Sequence, residues 1–196
     1  MRIRAEFIKG DRVRFVSHLD TMRAWERAMR RADLPVTFSQ GFNPHPKMSL
    51  ASSLAVGLTG RAEIIEVTLN EPVAPEDFVR RVNAAMSEGL RATRAREVAA
   101  EAPNPAAEVS GATYEARPSG GGGSSGSGPA GPVDEAAVRR AIDLFKEAEA
   151  VPVVRRTDKG EREMDLRPLV HDLRWEDGRL TMVLSAGQNG TARPTD

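Results

Sequence analysis

The chain has 196 residues, of which 40% are apolar and only 5% aromatic, with a formal net charge of zero and no cysteine. That is enough for one large or two small domains whose cores rest on Val, Leu, Ile, Ala and Met. Disulfides, thiolate catalysis and zinc–thiolate sites are excluded. No run of about 18 apolar residues suits a membrane span, so a soluble cytoplasmic protein with no membrane association is expected. The zero charge hides an asymmetry: residues 1–60 hold ten basic and five acidic residues. A basic N-terminal lobe favours an anionic partner.

In chain order, residues 2–8 alternate, with Ile3, Ala5 and Phe7 to one side and Arg2, Arg4 and Glu6 to the other, which predicts a half-buried strand. Gly10-Asp11 breaks it, and the alternation is expected to resume at Val13 and Phe15. Ser17 with Asp20 resembles a capping box and opens a helix. Its apolar spacing runs through Leu19, Met22, Trp25 and Met29 to an end near Asp33-Leu34-Pro35. Val36 and Phe38 predict a short strand. The stretch "SQGFNPHPKMSL", residues 39–50, follows. Pro44 and Pro46 fix their own φ and bias Asn43 and His45 away from helix. The loop is therefore stiff and extended, with Asn43, His45 and Lys47 projecting to one side.

Residues 62–69, "AEIIEVTL", predict the next strand. "APEDFVRRVNAAMSEGL" predicts a second helix, with Pro75 in its first turn and Gly89 as its C-cap. Residues 91–98 return as a strand. Composition then shifts, and 117–132, "RPSGGGGSSGSGPAGP", reads as a flexible linker. A strand is expected at 109–116, a helix at 134–149 with Val138, Ile142 and Phe145 as its stripe, and a strand at 151–155. A hairpin of 166–175 and 179–185, closed by Glu176-Asp177-Gly178, ends the series. The fold class expected is α+β, with two ferredoxin-like (βαββαβ) units joined through the Gly/Ser-rich linker. The second unit repeats only the opening β-α-β-β and is incomplete. The corresponding domains are 1–98, 99–133 (strand plus linker) and 134–196. Pro194 and Asp196 are spaced like Pro75 and Asp77, as if another helix were opening. A missing helix is then expected to leave Leu180, Met182 and Leu184 uncovered.

The chemistry-bearing residues cluster in the first unit. Arg23, Arg27 and Arg31 stand four residues apart on the first helix with Arg30 beside them. A guanidinium binds phosphate in a bidentate fork, so such a row suits a phosphate chain. Glu26 offsets part of the like-charge repulsion through Arg30. His18 stands at the start of that helix. With His45 and Lys47 it supplies an acid–base set for RNA cleavage, in which the 2′-hydroxyl is the nucleophile. No H-x-x-x-H or H-x-H spacing supports a metal, and no P-loop, G-x-G-x-x-G or G-x-S-x-G motif is present. No cofactor is implied.

Residues 9–69, "KGDRVRFVSHLDTMRAWERAMRRADLPVTFSQGFNPHPKMSLASSLAVGLTGRAEIIEVTL", carry a resemblance. Their motifs "RF-SHLD", "R-A-LP" and "SQGFNPHPK" are similar to those of a small radical-SAM-associated family of unknown function. Its members stand alone or are fused behind radical SAM enzymes. The resemblance implies a radical SAM protein as partner, and a macromolecular substrate such as RNA. A chain without cysteine cannot hold that enzyme's iron–sulfur cluster itself. In architecture alone, repeated units of this kind also resemble the RNA-processing endoribonucleases of CRISPR systems.

The leading expectation is a non-catalytic RNA-binding or substrate-presenting module. Lys9, Arg14, Lys47 and the arginines of the first helix hold phosphates, with Ser17 and His18 at the helix start. Ser39, Gln40, Asn43 and His45 hydrogen-bond bases, and Phe42 stacks on one. The alternatives are a metal-independent endoribonuclease using His18, His45 and Lys47, and a protein-docking module.

Overall fold

The computed structural model describes residues 1–118, 133–157, 160–187 and 190–196. The linker expected between 117 and 132 therefore lies almost wholly outside the described residues. The chain is mixed α/β with antiparallel sheets and four α-helices among the described residues. It divides into two compact units, Met1–Val109 and Ser110–Asp196. No described helix is long and apolar enough to cross a membrane.

The first unit runs β1 (Arg2–Lys9), α1 (His18–Arg31), β2 (Met48–Leu50), β3 (Gly60–Thr68), α2 (Pro75–Ala85), β4 (Leu90–Val98) and a short α3 (Pro105–Glu108). Its sheet has the order β2-β3-β1-β4, and every pairing is antiparallel. The period of two along β1 sorts its side chains. Ile3, Ala5 and Phe7 join Trp25, Ala28, Met29, Ile65, Val67, Phe78 and Val82 in the core. Phe7 meets Trp25 edge to face, with ring centroids 5.2 Å apart. The even residues Arg2 and Arg4 point to the other side of the sheet, where Glu66 binds both. Arg2 reaches Glu66 at 2.5 Å and Arg4 reaches it at 2.7 Å. Arg2 also donates to the carbonyls of Ala99, Ala100 and Ala102. Arg4 donates to the Pro103 carbonyl and pairs with Glu108. These bonds strap residues 99–108 across that sheet face.

Three local expectations for this unit are corrected. Val13–Phe15 does not resume a strand: Asp11–Val13 forms a 3-10 turn, and the Gly10 N–H bonds the Gly89 carbonyl. Gly89 is not the cap of α2, which ends at Ala85. It sits at φ +94° beneath Val13, where an added Cβ would meet a Val13 methyl at 3.0 Å. Val36 and Phe38 make only isolated bridges, to Leu69 and Pro46, and the edge strand is Met48–Leu50 instead. In α1 the buried face is Thr21, Ala24, Trp25, Ala28 and Met29, while Leu19 is exposed.

The second unit runs β5 (Gly111–Ala116), α4 (Glu135–Glu147), β6 (Pro152–Thr157), β7 (Gly160–Asp165), β8 (Val170–Glu176) and β9 (Arg179–Ser185). One sheet has the order β5-β9-β8, and β6 and β7 form a separate two-stranded ribbon. The strand that follows α4 is thus not the sheet neighbour expected of it. The β8–β9 turn matches the sequence reading: Asp177 and Gly178 both take positive φ, as a type I′ hairpin turn requires. His171 meets the Ser185 hydroxyl at 2.8 Å across this pair.

The uncovered apolar face expected on this hairpin is not observed. Met182 and Leu184 are 7% and 3% exposed, packed with Leu166, Val170 and Ala192. Phe145 of α4, Val153 of β6 and Met164 of β7 join them, as does the partly buried Leu180. Residues 190–196 lie over this core rather than opening a helix. The Ala192 N–H bonds the Ser185 carbonyl, and Arg155 binds Thr191 and Asp196. The inserted ribbon and the terminal segment do the covering that a further helix was expected to do.

Candidate nucleic-acid interface

Helix α1 sets out the arginines. Ser17 caps it as expected: its hydroxyl accepts from the Asp20 N–H at 3.2 Å and donates to the Asp20 carboxylate at 2.7 Å. The Ser17 hydroxyl's bond to the carboxylate, then Arg23, holds the Asp20 carboxyl below its ordinary range. With Ala24, Trp25 and Ala28 buried, Arg23, Arg27, Arg30 and Arg31 all lie on the exposed side. Arg23 pairs with Asp20 at 3.0 Å and Arg30 with Glu26 at 2.8 Å. Arg31 donates to the Ala85 carbonyl at the end of α2. Arg27 makes no hydrogen bond or ion pair among the described residues. The exposed pairs are worth only about 0–1 kcal/mol each, so a phosphate chain can displace them.

The row from Arg23 to Arg31 spans roughly 12 Å along the helix axis. It runs toward the root of the 39–47 loop, which α1 reaches through residues 32–38. That loop is closed by its own backbone. The Ser39 N–H bonds the His45 carbonyl at 2.8 Å, and the Ser39 hydroxyl accepts from the His45 N–H at 3.0 Å. Its root is paired to β3, since Thr68 donates to the Lys47 carbonyl at 2.9 Å. Ser39 is thus a loop closer, half-buried. Gln40, Phe42, Asn43, His45 and Lys47 all face solvent, with Phe42 fully so at 106% relative exposure. Gly41, at φ +130°, provides the bend before Phe42.

Lys9 and His18 lie elsewhere. Lys9 is 2% exposed, and its ammonium donates to the Val16 carbonyl at 2.7 Å and the Arg14 carbonyl at 3.4 Å. It holds the 10–16 loop rather than facing a phosphate. Burial lowers its pKa, opposed by the Glu63 charge. The signal was present in the sequence: Lys9 follows Ile3, Ala5 and Phe7 on the odd, core-facing side of β1. The exposed Arg14 stacks over Phe15 at 4.7 Å. His18 lines a small cavity with Lys9, Thr21, Ser52 and Glu63, and its Nδ1 is buried without a hydrogen-bond partner among the described residues. This cavity lies at the Gly60–Glu63 end of β3. The 39–47 loop is rooted at Thr68, roughly 17 Å along the same strand at 3.3–3.4 Å per residue. The structure joins the end of α1 to the root of the loop through residues 32–38, where the Asn70 N–H donates to the Pro35 carbonyl. It does not bring His18 and His45 together.

Glu63, which sequence reasoning did not single out, belongs to that cavity. Its side chain packs so closely over Gly60 that a Cβ there would lie 2.6 Å from Glu63 Cγ. Burial raises its pKa above the ordinary 4.5, opposed by Lys9 and by a hydrogen bond with Ser52. A raised folded-state pKa means the stability this group confers is complete below 4.5 and is lost as the pH rises through the raised value. Glu63→Gln is therefore expected to stabilise the first unit near pH 7, with the gain shrinking toward about pH 4. Denaturant midpoints at both pH values check this, and a gain independent of pH would contradict it.

No curated protein matches the chain. Residues 2–194 match the family described as "Uncharacterized protein conserved in bacteria (DUF2344)", and the chain belongs to that family.

Proposed function

We propose that this protein is a non-catalytic, cytoplasmic RNA-binding module that presents a single-stranded segment to a partner enzyme. The observation that carries the reading is Phe42: a fully exposed aromatic ring on a loop whose backbone closes on itself. A phenyl ring held out on a closed loop offers a flat face on which an unstacked base can stack. Asn43 and His45 stand beside it to bond base edges, and Lys47 and the α1 arginines follow as phosphate contacts. The element series β-α-β-β-α-β of the first unit, on an antiparallel sheet, supports a ferredoxin-like reading and, by analogy of architecture alone, the same function. The partner proposed is a radical SAM enzyme, on the resemblance of residues 9–69 alone.

Anisotropy titrations of a labelled single-stranded RNA across salt concentrations test the proposal. Each phosphate contact contributes a slope of about −0.7 in log K against log salt. Arg23→Ala/Arg27→Ala is expected to flatten the slope by about 1.4. Phe42→Ala is expected to weaken binding by roughly 1–3 kcal/mol with the slope unchanged. Equal slopes for wild type and the arginine variant would overturn the assignment. Absence of binding at low salt would favour protein docking. The endoribonuclease alternative needs His18 and His45 in one cleft, and their separation along β3 weighs against it.

A further inference from the structure

The sheet face opposite α1 and α2 holds a cavity of about 470 Å³, within the size range of small-molecule sites. Its floor is Arg4 and Glu6 of β1, Ile64 of β3, and Arg94 and Arg96 of β4, and its roof is Pro105, Glu108 and Val109. We propose that this cavity binds a small molecule with one oxyanion group, phosphate or carboxylate, on a compact apolar body. The site is independent of the RNA-binding reading, because Arg4 and Glu6 alternate with the core residues that meet α1.

Three observations converge. First, the roof is built rather than incidental. Arg4 is 5% exposed and spends its donors on Glu66, Glu108 and the Pro103 carbonyl, while Arg2 holds three further carbonyls of the strap. A buried ion network of this kind is weak as a source of stability compared with apolar packing. What it supplies is a fixed geometry for residues 99–108. Second, the floor retains donors. Arg96 makes no hydrogen bond among the described residues and reaches Glu108 only at 4.0 Å, and Arg94 has one partner, Glu6. Two residues apart on one strand, with Cα atoms about 7 Å apart, they project from the same face, where they can grip one oxyanion from both sides. Third, Ile64, Pro105 and Val109 give an apolar wall beside this pair, which suits the body of a ligand rather than a bare ion.

Amide-resolved NMR titration of the full chain tests the proposal, with phenyl phosphate, benzoate and inorganic phosphate as probes. Saturable shifts at residues 94–96 and 105–109 are expected with phenyl phosphate or benzoate, and weaker ones with inorganic phosphate. Whichever organic probe binds more tightly identifies the oxyanion. Arg96→Gln is expected to weaken binding about tenfold, as the loss of a charged hydrogen bond does. Val109→Phe, which fills the cavity without touching a charge, is expected to abolish it. Spectral dispersion shows whether each variant is folded. No saturable shift, equal binding by both variants, or shifts confined to α1 and the 39–47 loop would each overturn the proposal. The last pattern would leave the RNA reading intact.

Discussion

Replacing Glu66 by alanine is expected to destabilise the first unit by roughly 3–5 kcal/mol, the usual cost of leaving a buried charge uncompensated. Glu66 is 7% exposed and receives both Arg2 and Arg4, which come from the neighbouring strand. Without it, Arg4 keeps Glu108, but Arg2 is left with only the strap carbonyls. Residues in one charge network are not additive, so Arg4→Met/Glu66→Leu is expected to lose much less than the two single changes together. Urea unfolding of Glu66→Ala, Arg4→Met, Glu66→Leu and the double variant measures this. A Glu66→Ala loss below about 1 kcal/mol would show that water already serves these groups.

Trp25→Ala is the second large effect, about 3–5 kcal/mol for emptying a fully buried indole site. Trp25 is 0% exposed and stands edge to face on Phe7, so it fastens α1 to the centre of the sheet. Its indole N–H is buried without a partner among the described residues. Trp25→Phe keeps most of the packing and removes that unpaired donor, and it is expected to cost under about 1.5 kcal/mol. Comparable losses for the two variants in chemical denaturation would mean that the indole nitrogen, rather than the ring volume, matters.

Much of this arrangement is legible in local patterns. The odd–even alternation of residues 2–8 sorts β1, Ser17 and Asp20 start α1, and Asp177-Gly178 closes the β8–β9 hairpin. The same rule reaches Lys9, but a lysine's charge argued for exposure, and only the Arg14 and Val16 carbonyls explain how its burial is tolerated. Strand β7, "GEREMD", was not readable, because it lacks an apolar alternation. It exists through pairing with β6, supported by cross-strand contacts such as Arg156–Glu161 at 2.8 Å. The Arg2–Arg4–Glu66 network joins residues more than sixty positions apart, beyond any local pattern. For the candidate interface, the prolines announced a stiff loop and the four-residue spacing announced the arginine row. The separation of His18 from His45 follows from β3, which carries Glu63 of the His18 cavity near one end and Thr68 of the loop root at the other, and no local motif records this.

The account's central claim is that RNA lies on the 39–47 loop and the neighbouring arginines. Ultraviolet crosslinking of the full chain to a single-stranded RNA, followed by trypsin digestion and mass spectrometry, tests it most directly. Cleavage after Arg31 and Lys47 releases residues 32–47 as one peptide containing Phe42, Asn43 and His45. The account predicts that this peptide carries the main crosslinked nucleotide and loses it in Phe42→Ala. A crosslink confined to the β4 peptides around Arg94 and Arg96, or to the second unit, would contradict it.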